Sequence, residues 1–154
     1  MGNSQYTAQK PVGKTAKSGF QIGVRRTLPI SPEQAWAYLT SLEGTRLWMG
    51  TVTNLTWNEG DCFASAEGVS GELRVVKTLS QLRLKWERED WAKPSTLQIR
   101  LLPGKPGHTT ISFHQEHLED ENTREEMKVF WENVLREIKL HCDNKLSKEL
   151  KADE

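Results

Sequence analysis

The sequence predicts an α+β domain in which a curved antiparallel sheet holds one long C-terminal helix. Three observations carry that reading. A strand-like segment ending at Leu28 runs straight into a helix-start signal, Ile30-Ser31-Pro32-Glu33-Gln34-Ala35-Trp36. Several segments of period-two alternation follow between Cys62 and His117. An amphipathic stretch from Met127 to Cys142 then closes the pattern.

The first strand is set by Phe20, Ile22, Val24 and Leu28 alternating with Gln21, Gly23, Arg25 and Thr27. Arg26 falls on the apolar side of that alternation. It either lines a cavity or reaches water at the strand end, the commoner outcome for arginine. Ser31 is placed to cap a helix, Pro32 suits its first position, and Gln34 completes a capping box. Ala35, Trp36 and Leu39 form its apolar stripe. A second short helix is expected over Thr45–Met49, with Leu47 and Trp48 inward and Gly50 as its stop. Thr51–Trp57 reads as a weak strand or an extended linker.

Further strands are expected at Cys62–Ala66, at Leu73–Leu79 with a bulge near Val76-Lys77, and at Leu82–Glu87. Gly68–Gly71 reads as a turn. Leu97, Ile99 and Leu101 define the next strand, and Pro103–Gly107 a turn. Thr109, Ile111, Phe113, Gln115 and His117 are expected on one face of the last strand. Thr123 and Glu126 have capping-box spacing. Met127, Phe130, Trp131, Val134, Ile138, His141 and Cys142 then recur at three- and four-residue steps, predicting a helix of about 20 residues. The organisation expected is a flexible tail over 1–18, one domain over 19–146, and a charged tail over 147–154.

Composition narrows the function. The 154 residues hold 21 basic and 21 acidic side chains, so a general electrostatic affinity for nucleic acid is unsupported. No apolar run is long enough to span a bilayer, so membrane insertion is not expected. Two cysteines far apart, Cys62 and Cys142, fit free thiols in a reducing compartment, and a cytoplasmic location is expected. His114 and His117 lie three apart on a strand and point to opposite faces, which argues against a shared metal. The acidic runs near the strand ends read as solvated charge, with Glu116 beside the inner face. No phosphate-cradling loop or cofactor motif is present, and no cofactor is expected.

Several segments together resemble a known family. Leu28-Pro29-Ile30-Ser31-Pro32-Glu33-Gln34-Ala35-Trp36, then Leu47-Trp48, then Leu82-Arg83-Leu84-Lys85-Trp86, are similar to the START-like, helix-grip superfamily (SRPBCC domains). The nearest branch is the one related to the activator of the 90-kDa heat-shock protein ATPase. The resemblance covers about residues 19–142. Gly60-Asp61 departs from the paired glycines often found there. The resemblance implies a helix-grip fold with about six strands and a hydrophobic cavity between sheet and C-terminal helix; it carries over no catalytic residue.

On that basis the leading expectation is noncatalytic binding of a small hydrophobic molecule. Candidate walls are Trp48, Trp86, Ile99, Phe113, Met127, Phe130 and Val134. Candidate polar contacts are Arg26, Gln115 and His117. A second reading is a protein-interaction module using the outer sheet face, through Arg83, Lys85, Glu87, Gln98 and Arg100. A third is a cyclase- or hydrolase-like enzyme, for which His117 and Glu116 are the available ionisable groups. A packed interior favours the interaction module, and an open apolar pocket favours the binder.

Overall fold

The fold is a seven-stranded, wholly antiparallel sheet in the order β1-β2-β7-β6-β5-β4-β3, with the long C-terminal helix across its inner face. The structure is a computed structural model that describes residues 14–15 and 19–152. The strands are β1 (Lys14–Thr15), β2 (Gly19–Leu28), β3 (Cys62–Ala64), β4 (Val69–Lys77), β5 (Gln81–Arg88), β6 (Ser95–Pro103) and β7 (Thr109–Leu118). The helices are α1 (Pro32–Leu39), α2 (Leu42–Trp48) and α3 (Glu121–Ala152). Strands β3 to β7 form a meander, and β7 then returns beside β2. Six strands carry the sheet, as expected, and β1 adds two residues at its edge. Lys14 and Thr15 belong to the tail expected over 1–18; the rest of that tail lies outside the described residues.

Helix α1 begins as its sequence dictates. The Gln34 amide donates to Ser31 Oγ at 3.1 Å, and the Ser31 amide donates to Gln34 Oε1 at 2.9 Å. Two otherwise unpaired donors are thereby satisfied. Ser41 caps α2 in turn, accepting from the Gly44 amide at 3.0 Å. A Cβ at Gly44 would lie 1.8 Å from the Tyr38 carbonyl oxygen, so only glycine lets the two helices turn so tightly. Gly50, at φ +92, ends this region as expected.

Several boundaries differ from expectation for identifiable reasons. Asp120, rather than Thr123, starts α3: its carboxylate accepts from the Thr123 amide at 2.7 Å. The helix also continues past Lys145 to Ala152, although its apolar stripe ends near Cys142. The β4 bulge falls between Leu73 and Val75, so Arg74 is the extra residue. Val69 and Ser70 join β4, because Gly68 at φ +92 completes the turn before them.

The strand-end bulge between β2 and β7 matters most. Phe20 pairs with Leu118 but Ile22 pairs with Gln115, and His117 takes φ +66 to absorb the extra residue. Leu118 therefore turns inward where strict alternation would have placed His117. Thr109, Ile111, Phe113 and Gln115 are buried as predicted. Met127, Trp131, Val134, Leu135 and Ile138 form the buried stripe of α3 against them.

Candidate functional site

The space between sheet and α3, where a ligand cavity was expected, is crossed by a chain of five hydrogen bonds. Trp131 Nε1 on α3 donates to Gln115 Oε1 on β7 at 2.7 Å. Gln115 Nε2 donates to Ser95 Oγ on β6 at 2.8 Å, and Ser95 Oγ donates to the Trp86 carbonyl on β5 at 2.6 Å. Trp86 Nε1 donates to the Trp48 carbonyl at 2.8 Å, and Trp48 Nε1 donates to the Leu39 carbonyl at 3.0 Å. An indole nitrogen can only donate, so Trp131 fixes which way the Gln115 amide lies. The chain links three helices and three strands, and no buried side-chain polar atom among the described residues lacks a partner.

Aromatic rings fill the volume around that chain. Trp131 stacks on Phe113 with centroids 4.8 Å apart, and meets Trp86 edge-on at 5.5 Å and Phe130 edge-on at 4.9 Å. Trp91 lies 5.4 Å from Trp86, and the Arg88 guanidinium sits 5.7 Å from Trp86 and 5.1 Å from Phe130. Trp57 approaches Trp48 at 6.1 Å.

Trp48, Trp86, Phe113, Gln115, Met127 and Trp131 are all 0% exposed. A water-sized void beside any of them would leave part of its surface accessible. In this structure these side chains face one another rather than open space. They are brought together, with Ile99 and Val134, but as packed core, and Phe130 is half-buried at the edge. The physical reason is size: the Trp86 and Trp131 indoles meet, with Phe113 and Phe130 against Trp131, where smaller side chains would have left room.

Two candidate polar contacts are displaced outright. Arg26 shares a register position with buried Ile111, yet it is exposed, because β2 lies near the sheet edge and its long stem reaches water. His117 is turned out of the interior by its bulge, and its Nδ1 lies 3.1 Å from Thr96 Oγ1, a residue paired with outward-facing Glu116. Gln115 does face inward, but both ends of its amide are occupied by protein. Ser95, at the start of β6, was not among the expected site residues. Its spacing from Leu97, Ile99 and Leu101 was the available signal that it belongs to their face.

The outer sheet face has a different character. Arg25 on β2, Ser112 on β7, Arg100 on β6, Gln81 on β5 and Lys77 on β4 form one register row across five strands. The cations occupy alternate strands, hence about 10 Å apart. The next row, Gly23, His114, Gln98, Arg83 and Val75, adds another arginine. Neither row holds a carboxylate, and Arg25, Lys77, Arg83 and Arg100 are exposed, with no ion pair among the described residues. Carboxylates appear one row further on, where Glu116 and Glu72 flank Thr96 and Lys85. The face is therefore polarised although the chain as a whole is neutral.

A groove of about 460 Å³ lies between α1 and the C-terminal part of α3. No three or more His, Cys, Asp or Glu side chains among the described residues are arranged to hold a metal ion. No helix among them is long and apolar enough to cross a membrane.

Comparison with known proteins bears on the whole architecture. No curated protein matches the sequence. Among solved structures, PFC0360w of Plasmodium falciparum, described as an HSP90 activator, is similar with a TM-score of 0.69 and 19% identity, over 80% of this chain and 96% of that one. CalU16 of Micromonospora echinospora is similar with a TM-score of 0.71 and 19% identity, over 88% and 85% of the two chains. ChR145 of Cytophaga hutchinsonii gives 0.68 and 19%, over 85% and 99%. At such identities the likeness shows the fold alone. The sequence match goes further, since residues 29–142 match the family described as Activator of Hsp90 ATPase homolog 1-like protein. That span runs from the capping segment of α1 to Cys142, through every element of the helix-grip architecture except β1, β2 and the last residues of α3, and this chain belongs to that family.

Proposed function

We propose that this protein is a noncatalytic protein-interaction module of the co-chaperone kind, which docks a partner on the outer face of its sheet. The observation that carries the reading is the filled interior. Trp48, Trp86 and Trp131 are fully buried in the region where the resemblance implies a cavity, so recognition is assigned to the surface. The polarised outer face supports it: Arg25, Arg100, Lys77 and Arg83 present positive charge with no carboxylate in their rows. Such a face steers and orients a partner of opposite sign. Family membership agrees, as does the fold shared with a protein described as an HSP90 activator. The buried polar side chains among the described residues, Ser95, Thr109, Gln115 and Thr45, are uncharged, so none of them is an acid–base group for chemistry in the interior.

The experiment is direct. The protein is mixed with the 90-kDa heat-shock protein of its own host, and complex formation and ATP hydrolysis are measured. A complex is expected that weakens with salt. The Arg25→Glu/Arg100→Glu variant is expected to weaken it at least about tenfold with its thermal midpoint little changed, because both side chains are exposed. Absence of a complex, or a complex indifferent to that double variant, contradicts the reading.

A further inference from the structure

Helix α1 carries a second stripe that does not enter the core. Glu33, Ala37 and Tyr38 lie on it at helical spacing, and His141, Cys142 and Leu146 of α3 face it across the groove of about 460 Å³. That volume lies in the range of small-molecule sites. Its depth has a sequence cause. Ala37 keeps the helix but fills little space, and Leu146, half exposed, leaves an apolar side chain on the opposite wall.

One end of the groove is fixed. The rings of Tyr38 and His141 stack 4.0 Å apart at 20°, and His141 Nδ1 lies 3.6 Å from Glu43 Oε1. This contact ties the α1–α2 corner to α3. The carboxylates of Glu33 and Glu43 belong to the lining, against a single lysine, Lys145, whose exposed stem is free to turn to water. The Tyr38 phenol registers the local field: it is pushed up to about 12, first by burial, then by Glu43, Cys142 and Glu137. An anion in this groove meets two lining carboxylates, whereas a cation complements them.

We propose that the groove between α1 and α3 is a binding site for a small apolar molecule bearing one positive charge, an aryl- or alkylammonium. The tail lies on Ala37 and Leu146, and the ammonium faces Glu33 and Glu43. The site shares no residue with the outer sheet face, so it stands or falls apart from the docking reading.

Three probes of one shape test it on the full chain: 4-phenylbutylammonium, 4-phenylbutanol and 4-phenylbutyrate. Affinity is read by calorimetry and location by amide NMR. The shifts are expected to cluster over residues 33–43 and 137–146. The ammonium is expected to bind about fivefold more tightly than the alcohol at low salt, an advantage typical of exposed ion pairs. The butyrate is expected to be weakest, and the spread to narrow in about 0.5 M salt. Ala37→Trp, at an exposed position, is expected to abolish binding of all three. Glu33→Gln/Glu43→Gln is expected to erase the headgroup preference while the alcohol still binds. The proposal is overturned if the butyrate binds as well as the ammonium, if the shifts fall elsewhere, if Ala37→Trp leaves binding intact, or if no probe saturates at about 10 mM.

Discussion

The indole N–H of Trp86 donates to the backbone carbonyl of Trp48 across 2.8 Å, joining the central sheet to the short helix α2. The bond satisfies a buried donor and a helix-end acceptor together. With Trp131 bonded to Gln115, it turns three large aromatic residues from potential cavity walls into interlocking core. Packing rather than the fold type decides what this interior can hold.

Trp131 is the keystone of α3 and stacks on Phe113. Trp131→Ala is expected to cost about 3–5 kcal/mol, the range for deleting a buried aromatic. Urea melts of the variant measure it. A loss below about 1 kcal/mol contradicts the placement of that face.

Gln115 is predicted to matter for what it satisfies rather than for what it binds. Gln115→Leu preserves bulk but strands the Trp131 indole N–H, at a cost of about 1–3 kcal/mol. Adding Trp131→Phe removes that orphaned donor. The double variant is therefore expected to be more stable than the summed single losses by about 1 kcal/mol. Strict additivity in denaturant melts would show that the two side chains do not interact.

The two cysteines are free and differ in environment. Cys62 is exposed, while Cys142 is half-buried, and burial together with Asp143 pushes its thiol up. Since the thiolate is the reactive form, native alkylation is expected to label Cys62 first. Cys142 is expected to follow slowly, with a rate still climbing above the ordinary thiol range. Mass spectrometry against time and pH reads both. Faster labelling of Cys142 at neutral pH contradicts this environment.

Local chemistry made much of the fold legible. The Ser31–Gln34 capping box, the Gly50 stop and the alternation of Leu82, Leu84 and Trp86 each act within a few residues, and each is found as read. His117 was misread because a bulge breaks alternation, and its left-handed backbone depends on β2 across the sheet, not on its neighbours in sequence. Of the two readings of Arg26, the one in which its side chain reaches water holds, and register alone does not choose between them because it does not reveal how near an edge a strand lies. The filled interior was beyond sequence reasoning for a similar reason. Periodicity says which way Trp48, Trp86 and Trp131 point, but not that the Trp86 and Trp131 rings meet or that the Trp86 indole reaches the Trp48 carbonyl. The basic row of Arg25, Arg100 and Lys77 likewise exists only once strand order is known.

The most direct test asks whether the interior is closed. Chlorobenzene is titrated into the native protein and into Trp86→Ala, and methyl NMR follows Leu84, Leu97, Ile99, Met127 and Val134. Removing the indole leaves an apolar void of the kind that takes up small aromatic molecules. Saturable methyl shifts are expected in Trp86→Ala and not in the native protein. Saturable shifts of those same methyl groups in the native protein would show that the sheet–helix interior opens to ligands, and would contradict the assignment of recognition to the surface.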